Sequence, residues 1–190
     1  MSASTAPPFV HALARVEEDV EIGAGTMVWA NAHLRRGARI GAGCIIGADV
    51  TIDLGVIVGD HCKVQNAALL YSGLTLGNGV FVGPAVVFTN DRRPRAVNRD
   101  GEPITASQWT HGTTRVADGA SIGANATVVT GITIGAWAMV GAGSVVARDV
   151  DAHALTLGVP ARAVGWVCAC GARVDRQGVM QCPACPDRAL

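Results

Sequence analysis

Residues 22–50 read IGAGTMVWANAHLRRGARIGAGCIIGADV, and an aliphatic residue recurs in this stretch at every sixth position. The interval holds without exception over fourteen positions, each aliphatic or aromatic: Val10, Val16, Ile22, Val28, Leu34, Ile40, Ile46, Ile52, Val58, Val64, Leu70, Leu76, Val82 and Phe88. An α-helix places apolar residues three to four positions apart, and a lone strand places them two apart. A period of six predicts instead a repeat architecture in which each short strand is followed by a sharp corner.

Three six-residue units would close one triangular coil, and successive coils would stack so that hydrogen bonds run along the stacking axis. The aliphatic residue of each unit is then expected to point inward. A small or β-branched residue often precedes it by two positions, as at Thr26, Ala32, Ala38, Cys44, Val50, Val56, Cys62, Ala68, Val80 and Val86. Glycine often follows it, as at Gly23, Gly41, Gly47, Gly59, Gly77 and Gly83, and glycine accepts corner dihedrals that other residues resist.

The six-residue pattern stops after Phe88. Residues 89–115 read TNDRRPRAVNRDGEPITASQWTHGTTR, a long segment rich in charge and turn residues. Such excursions from a compact domain are usually functional or disordered. The segment carries four arginines that suit phosphate or carboxylate groups: Arg92, Arg93, Arg95 and Arg99. A solvated surface loop is the alternative. The pattern then resumes at Val116, Ile122, Val128, Ile134, Val140 and Val146, which predicts about two more coils.

Composition excludes several classes of protein. The formal net charge is zero, which argues against a nucleic-acid partner. No run of eighteen apolar residues is present, so no membrane span is expected. Residues 1–9 lack the basic start and apolar core of a signal peptide. We therefore expect a flexible N-terminal tail over residues 1–9 and a cytoplasmic protein.

The six cysteines divide into two groups. Cys44 and Cys62 occupy the small interior position, where buried thiols act as apolar filler. The remaining four form two close pairs near the C-terminus: Cys168, Cys170, Cys182 and Cys185. Two such pairs predict a tetrahedral, structural Zn²⁺ site, since disulfides are disfavoured in a reducing cytoplasm. A tail that carries cysteines without metal is the alternative.

The units IGAGTM, IGAGCI and IGANAT resemble those of the hexapeptide-repeat acyltransferases. The resemblance implies an all-β fold, namely a left-handed parallel β-helix, and a homotrimer. We expect residues 10–167 to form this β-helix domain, with residues 89–115 inserted as a loop. Residues 168–190 are expected to form a small zinc-ribbon-like tail.

One group within this family is more similar than the others. The segments VQN, FVGPAVVFTNDRRPRA, GASIGANATVVTGITIG and AMVGAGSVVARDV resemble the sugar-nucleotide N-acetyltransferases. This resemblance implies transfer of an acetyl group from acetyl-CoA to the 3-amino group of a UDP- or dTDP-linked amino sugar, for surface polysaccharide biosynthesis. It also implies that the two substrates, and neither nucleic acid nor membrane, are the partners.

The resemblance suggests two catalytic residues. Asn90 matches the asparagine of the family's F-T-N stretch, which lies beside the reacting amine; its amide can orient an amine or polarise a carbonyl but cannot act as a base. His33 matches the family's A-H-(I/L) stretch, and histidine titrates near neutral pH. A hydrogen-bonded surface histidine is an equally open reading of His33. His111, in the loop, is a third candidate, although the leaving sulfur could itself accept the proton.

The remaining site residues follow from the same matching. The sugar nucleotide is expected to contact Gln65, Asn66 and Tyr71, with Arg92 and Arg95 facing its anionic groups. Coenzyme A is expected to contact Gly141, Ala142, Pro160 and Arg162, from the last coils and from the closing turn with the family's G-x-P-A-R pattern. The family often has asparagine where this chain has Val159.

Two other functions stay open. The first is acyl transfer to a hydroxyl group, or from a longer acyl donor; dependence of activity on His111 would favour the hydroxyl. The second is a metal enzyme on the same fold, similar to the γ-type carbonic anhydrases. That enzyme would need a triad of histidines, and His33, His61 and His111 lack the recognised spacing.

Overall fold

A computed structural model describes residues 6–105, 108, 112–176, 182 and 184–185. These residues form an all-β parallel solenoid of short strands without an α-helix among them. In the same described ranges, no helix is long and apolar enough to cross a membrane. The period of six therefore produces the strand-and-corner architecture that the sequence predicts.

The strands form three sheets, one along each side of the triangular coil. Sheet A contains β1 (Phe9–Val10), β4 (Met27–Val28), β7 (Ile45–Ile46), β10 (Lys63–Val64), β13 (Phe81–Val82), β16 (Ser121–Ile122), β19 (Met139–Val140), β21 (Ala154–Gly158), β22 (Ala161–Val167) and β23 (Arg173–Val174). Sheet B contains β2 (Arg15–Val16), β5 (His33–Leu34), β8 (Thr51–Ile52), β11 (Leu69–Leu70), β14 (Val87–Phe88), β17 (Thr127–Val128) and β20 (Val145–Val146). Sheet C contains β3 (Glu21–Ile22), β6 (Arg39–Ile40), β9 (Ile57–Val58), β12 (Leu74–Leu76), β15 (Thr114–Val116) and β18 (Thr133–Ile134).

Strand pairing shows that three six-residue units make one coil. Val28 pairs with Ile46, the inward residue three units later, and both strands run parallel. Across the loop, Val82 pairs with Ile122, again inward residue on inward residue. The longer coil therefore accommodates the inserted loop without shifting the register of the sheets.

The inward residues form a continuous core. Leu34, Ile46 and Leu70 are completely buried, and so are the thiols of Cys44 and Cys62, as the sequence predicts. The first coil departs from this pattern, because Val10 and Val16 are each 39% exposed. An end coil packs against a neighbour on one side only, so the same inward position is less covered there.

The glycines that follow the inward residues have a different role from the one expected. A Cβ atom on Gly83 would lie 2.6 Å from the backbone nitrogen of Ala124 in the next coil. The left-handed φ values occur two residues further along each corner, at positions such as Gly25 and Asn31. Gly83 and its equivalents are thus required by the close approach of stacked coils and not by an unusual dihedral.

The inserted loop leaves sheet B after Phe88 and rejoins sheet C at Thr114. Part of it is locally ordered, since the Asn98 side-chain oxygen accepts hydrogen bonds from the backbone N–H groups of Asp100 and Glu102, both at 2.9 Å. After β20 the chain changes character: β21 pairs parallel with β19, whereas β22 and β23 add antiparallel strands to sheet A. The solenoid therefore ends in a hairpin.

Candidate functional site

The corner between sheets B and C, here called the loop corner, carries a chain of polar contacts. Asn90 follows β14, and its Nδ2 donates a hydrogen bond to Ser72 Oγ at 3.1 Å. The backbone N–H of Ser72 donates to Asp53 Oδ2 at 3.2 Å. The other carboxylate oxygen of Asp53 accepts from the guanidinium of Arg35 at 2.6 Å. Four residues from successive coils, Asn90, Ser72, Asp53 and Arg35, are thus linked along one corner.

A pocket of about 440 Å³ opens beside this corner, between the loop and the following coil. Its lining consists of Asp91, Arg92, Arg93, Arg95, Ile104, Gln108, Gly112, Thr130 and Gly131. The backbone N–H of Gly112 donates to the carbonyl oxygen of Asn90 at 3.1 Å, which places the pocket wall directly against that residue. The predicted residues Arg92 and Arg95 therefore share one pocket next to Asn90.

The pocket carries an excess of positive charge. Among the residues that the structure describes, none of Arg92, Arg93 and Arg95 forms an ion pair with a carboxylate. Asp91 is the acidic residue of the lining, and its Oδ1 accepts a hydrogen bond from the backbone N–H of Arg93 at 2.7 Å. Guanidinium groups present planar donor pairs that match phosphate and carboxylate oxygens. The pocket is thus suited to an anion.

The pocket wall also contains a buried hydroxyl. Thr130 is 1% exposed, and within the described part of the chain its Oγ1 has no hydrogen-bond partner. Its backbone N–H does have one, since it donates to Thr89 Oγ1 at 3.1 Å. Leaving a buried hydroxyl unpaired costs about 1–3 kcal/mol. The pocket wall therefore carries one buried hydroxyl that is not paired with any protein group in the described part of the chain.

His33 lies on β5, facing out of sheet B, and its Nε2 is 2.8 Å from Glu17 Oε1. The pKa of the Glu17 carboxyl is held below its ordinary value, first by the backbone N–H of Arg36 and then by the His33 side chain. Two strands separate β5 from β14 in sheet B, which puts the strand of His33 about 14 Å from the strand that Asn90 follows, at the usual strand spacing. Within one chain His33 and Asn90 are therefore not in contact. The contact of His33 with Glu17 agrees with the alternative interpretation of His33 as a hydrogen-bonded surface histidine.

The predicted sugar-nucleotide residues lie at two corners. Tyr71 is at the loop corner, one coil before Asn90, whereas Gln65 and Asn66 follow β10 at the corner between sheets A and B. Asn66 Oδ1 accepts the backbone N–H of Ala48 at 3.1 Å, so that amide already holds two coils together. The same device recurs at other corners, for example between Asp60 and the N–H of Ala42 at 2.7 Å.

The predicted coenzyme A residues come together at the C-terminal end. Gly141 and Ala142 follow β19, and the side chain of Leu157 packs against Gly141. Pro160 lies in the turn between β21 and β22. Arg162 is exposed beside that turn and lines a pocket of about 140 Å³.

Two of these residues, Gly141 and Ala142, lie at a different corner of the triangle from Asn90. The coenzyme A candidates Gly141 and Ala142 follow a strand of sheet A, whereas Asn90 follows a strand of sheet B. One side of the triangle is six residues long, about 20 Å at the rise of a strand. Within a single chain, Gly141 and Ala142 are therefore a full side of the coil from Asn90, whereas Arg162 lines its pocket together with Arg148 and Asp149, which follow β20 of sheet B.

The four C-terminal cysteines form a compact cluster. Their Sγ atoms all lie within 4.8 Å of one another, with Cys168 and Cys185 at 3.4 Å and Cys170 and Cys182 at 3.7 Å. Four thiolates around one Zn²⁺ lie about 3.8 Å apart, given the usual Zn–S distance. The backbone N–H of Cys170 lowers the pKa of the Cys168 thiol to about 7, and the bond to Cys168 raises the pKa of Cys185 to about 12. The donor set and its spacing fit a metal ion.

Comparisons with known proteins agree with this fold. Residues 19–53 and 113–148 match the family described as bacterial transferase hexapeptide (six repeats). Residues 37–72 match the hexapeptide repeat of succinyl-transferase. Hexapeptide repeats thus extend over residues 19–72 and 113–148 of the chain.

Two curated relatives of this hexapeptide-repeat protein are acetyltransferases by name. The first is dTDP-3-amino-3,6-dideoxy-alpha-D-galactopyranose 3-N-acetyltransferase from Aneurinibacillus thermoaerophilus, 54% identical over 74 residues, which are 37% of this chain and 38% of the relative. The second is serine acetyltransferase 4 from Arabidopsis thaliana, 32% identical over 104 residues, which are 55% of this chain and 24% of the relative. The chain thus spans well under half the length of both.

A solved structure with the same fold is that of a mutant of GDP-perosamine N-acetyl transferase from Caulobacter crescentus, in complex with CoA and GDP-perosamine. It is 26% identical to the hexapeptide-repeat protein, with a TM-score of 0.56. The match covers 84% of this chain and 57% of that one.

Sequence reasoning missed three charged residues of the hexapeptide-repeat protein: Glu17, Arg35 and Asp53. The coil length would have found two of them, because Arg35 and Asp53 are one coil apart and therefore adjacent at the loop corner.

His111 lies outside the described residues. The metal-type cluster that the described residues form contains cysteines only, and the histidine triad of a carbonic anhydrase is not among them.

Proposed function

We propose that this protein is an acetyl-CoA-dependent N-acetyltransferase that acts on the 3-amino group of a UDP- or dTDP-linked amino sugar. The observation that carries the proposal is the relative that is 54% identical over 74 residues and is named for such a reaction. The arginine-lined pocket beside Asn90 supports it, because a nucleotide sugar brings a diphosphate.

The reaction is amide formation. The neutral amine of the sugar attacks the thioester carbonyl, so that an N–C bond forms and the C–S bond breaks. Coenzyme A leaves as its thiolate and takes up the proton that the amine nitrogen loses. Asn90 contacts the amine, Arg92 and Arg95 bind the anionic groups, and Gln65, Asn66 and Tyr71 contact the rest of the acceptor. Close placement of the two reactants supplies much of the rate enhancement.

Coenzyme A binds at the C-terminal end in this proposal, with Gly141 and Ala142 along its pantetheine arm, and with Pro160 and Arg162 near its phosphates. A second copy of the chain must then bring its Gly141 and Ala142 to the loop corner, because these two residues lie a full side of the coil from Asn90 in one chain. This requirement and the likeness to the hexapeptide-repeat acyltransferases both favour a homotrimer with its sites between subunits.

The finer features of the fold belong to the same proposal. By likeness to that family, the coils of the residue 10–167 domain wind in a left-handed sense, and residues 168–190 form a separate zinc-ribbon-like tail. A sugar-nucleotide enzyme that uses acetyl-CoA and carries reduced cysteines belongs in the cytoplasm, where it supplies precursors of surface polysaccharide.

The C-terminal cysteines hold a structural Zn²⁺ in this proposal. Cys168, Cys170, Cys182 and Cys185 provide four sulfur ligands, which leaves no open position for a substrate. The support is the fit of their spacing to a tetrahedral thiolate site. Such an ion would fix a segment that is too short to bury a core of its own.

The deciding experiment is a thiol-release assay with acetyl-CoA and a panel of 3-amino sugar nucleotides. The panel holds UDP and dTDP forms, each with and without a 6-carboxylate, and the matching 3-hydroxy sugars serve as controls. We expect turnover of at least one amine and of none of the hydroxyl controls. If no amine supports thiol release while calorimetry still detects coenzyme A binding, the proposed acceptor is wrong and the assignment as an acyltransferase stands.

Transfer to a hydroxyl is the second candidate. It is favoured by the match to a serine acetyltransferase, 32% identical over 104 residues. L-serine is therefore included in the same assay. Thiol release with serine but with no amino sugar would replace the first proposal by this one.

A further inference from the structure

Asn90 presents a defined end of its amide to the loop corner. Its Nδ2 donates to Ser72 Oγ at 3.1 Å, so the amide nitrogen is already engaged. Its Oδ1 has no partner among the residues that the structure describes. The half-buried Asn90 therefore offers a free acceptor oxygen, whereas one N–H of its amide is held by Ser72.

Ser72 is itself held from the preceding coil. Its backbone N–H donates to Asp53 Oδ2 at 3.2 Å. The Asp53 side chain is 10% exposed, and its Oδ1 accepts from Arg35 at 2.6 Å. A carboxylate that is both buried and paired has little freedom to rotate, because losing either partner leaves a charge in a poorly solvated place. Arg35 and Asp53 thus fix the position of Ser72 along the axis of the solenoid.

We infer that Ser72 and Asp53 are positioning residues, which hold the Asn90 amide so that its Oδ1 accepts a hydrogen bond from the N–H of the acceptor amine. This inference rests on the proposed N-acetyl transfer. An N–H directed to Oδ1 leaves the lone pair of the nitrogen free to face the thioester carbonyl. As the N–C bond forms, positive charge grows on the nitrogen, and its hydrogen bond to Oδ1 becomes stronger.

The opposite orientation of the amide would inhibit the reaction. If Nδ2 faced the amine, it would donate to the lone pair that must attack the carbonyl, and the nucleophile would be blocked. In the structure Ser72 Oγ accepts from Nδ2, so the amide stands in the productive one of its two nearly isosteric orientations.

The test is a double-mutant cycle between Ser72→Ala and Asn90→Ala, with kcat and the KM of each substrate measured separately. Ser72→Ala should lower kcat by about 10- to 100-fold and leave the KM of acetyl-CoA unchanged. In the Asn90→Ala background, the same Ser72→Ala change should have no further effect, because Ser72 acts through Asn90. Ser72→Thr keeps the hydroxyl and should retain most of the wild-type kcat.

Asp53→Asn extends the test to the preceding coil, with Asp49→Asn as its matched control. Asp49 is also a corner aspartate that accepts a side-chain hydrogen bond, from Asn31 Nδ2 at 3.0 Å, but it lies at the corner between sheets A and B. We expect Asp53→Asn to lower kcat and Asp49→Asn to leave it unchanged.

The outcomes separate this inference from the function on which it rests. A wild type that acetylates an amino sugar, together with a full kcat in Ser72→Ala, would overturn the positioning role and keep the proposed function. A Ser72→Ala loss that persists in the Asn90→Ala background would also overturn it, because Ser72 would then act independently. A wild type that acetylates no amine would overturn both.

Discussion

Trp137 packs its ring over Gly119, the residue at the same corner one coil earlier. A Cβ atom on Gly119 would lie within 2.5 Å of the ring, and its φ is +69°. Gly119→Ala should therefore be destabilised by two effects, the strain of the left-handed dihedral and the displacement of the Trp137 indole. The dihedral alone costs about 1–2 kcal/mol. We expect the denaturant midpoint of Gly119→Ala to fall by more than that cost predicts.

Gly55→Ala is the matched control for this prediction. Gly55 has a φ of +64° and open space where its Cβ would be, so it reports the dihedral cost alone. Equal midpoints for the two variants would show that the Trp137 ring moves aside without cost.

Glu17 should make stability depend on acidity. Its pKa lies below the ordinary 4.5 because the N–H of Arg36 and the side chain of His33 favour the carboxylate. The stabilisation by the Glu17 carboxylate is thus fully present above pH 4.5, and it is lost as the pH falls through the lowered pKa. In urea titrations from about pH 7 to about pH 3, Glu17→Gln should be less stable at the higher pH, and the difference from wild type should disappear at the lower one.

The control is Glu18→Gln, which removes the neighbouring exposed carboxylate that pairs with Arg36. An exposed ion pair contributes little, so this variant should follow the wild type throughout. A pH-independent deficit in Glu17→Gln would contradict the role of its charge.

Asn90→Ala should fold normally and lose turnover. The side chain is half-buried at the edge of the core, and its partner Ser72 can find water instead. We expect kcat to fall by about 100-fold or more, since the variant lacks the proposed contact with the amine, which strengthens in the transition state. Thermal melting gives the folding control, and unchanged kcat with saturating substrates would remove Asn90 from the site.

Arg92 and Arg95 should govern the binding of the anionic acceptor. Replacing either with alanine removes a charge-assisted contact and should raise the KM of the nucleotide sugar by about 10-fold. The KM of acetyl-CoA should not change. Arg99→Ala is the matched control, because Arg99 is an exposed arginine of the same loop outside the pocket lining. If all three variants raise KM alike, the effect comes from net charge and not from the pocket.

The cysteine cluster should contain about one Zn²⁺ per chain in freshly purified protein. Cys170→Ser removes one ligand and should lower both the zinc content and the melting temperature. Cys62→Ala, which removes a thiol from the coil interior, should keep the full zinc content. Metal analysis by mass spectrometry is the measurement. Absence of zinc in the wild type would leave the cluster as four free thiols.

The sequence predicts the coil well because the coil repeats at a fixed period. A residue such as Leu34 has its neighbours above and below fixed by the period, so its burial follows directly. Val10 and Val16 obey the same period but are more exposed, since burial also depends on how many coils lie beyond. The role of Gly83 was misjudged for a related reason: its constraint comes from Ala124 in another coil, which a single unit does not reveal.

The candidate site was predicted less completely. The break in the pattern located the loop and the pocket arginines, and similarity to the family selected Asn90. The contacts of Asn90 come from Ser72 and, through it, Asp53, which lie in earlier coils. Such partners become visible only when the sequence is arranged by coil. The roles of His33, Asn66 and Arg162 stay predictions.

The unchanged register across the loop has a consequence for how this protein can vary. Strand pairing is the same before residue 89 and after residue 113, with inward residues facing inward on both sides. The described part of the segment between them carries the arginines of the pocket and contributes no strand to the three sheets. We therefore expect that exchanging this segment would change which anion the pocket binds, while the coils on either side of it would stack as before.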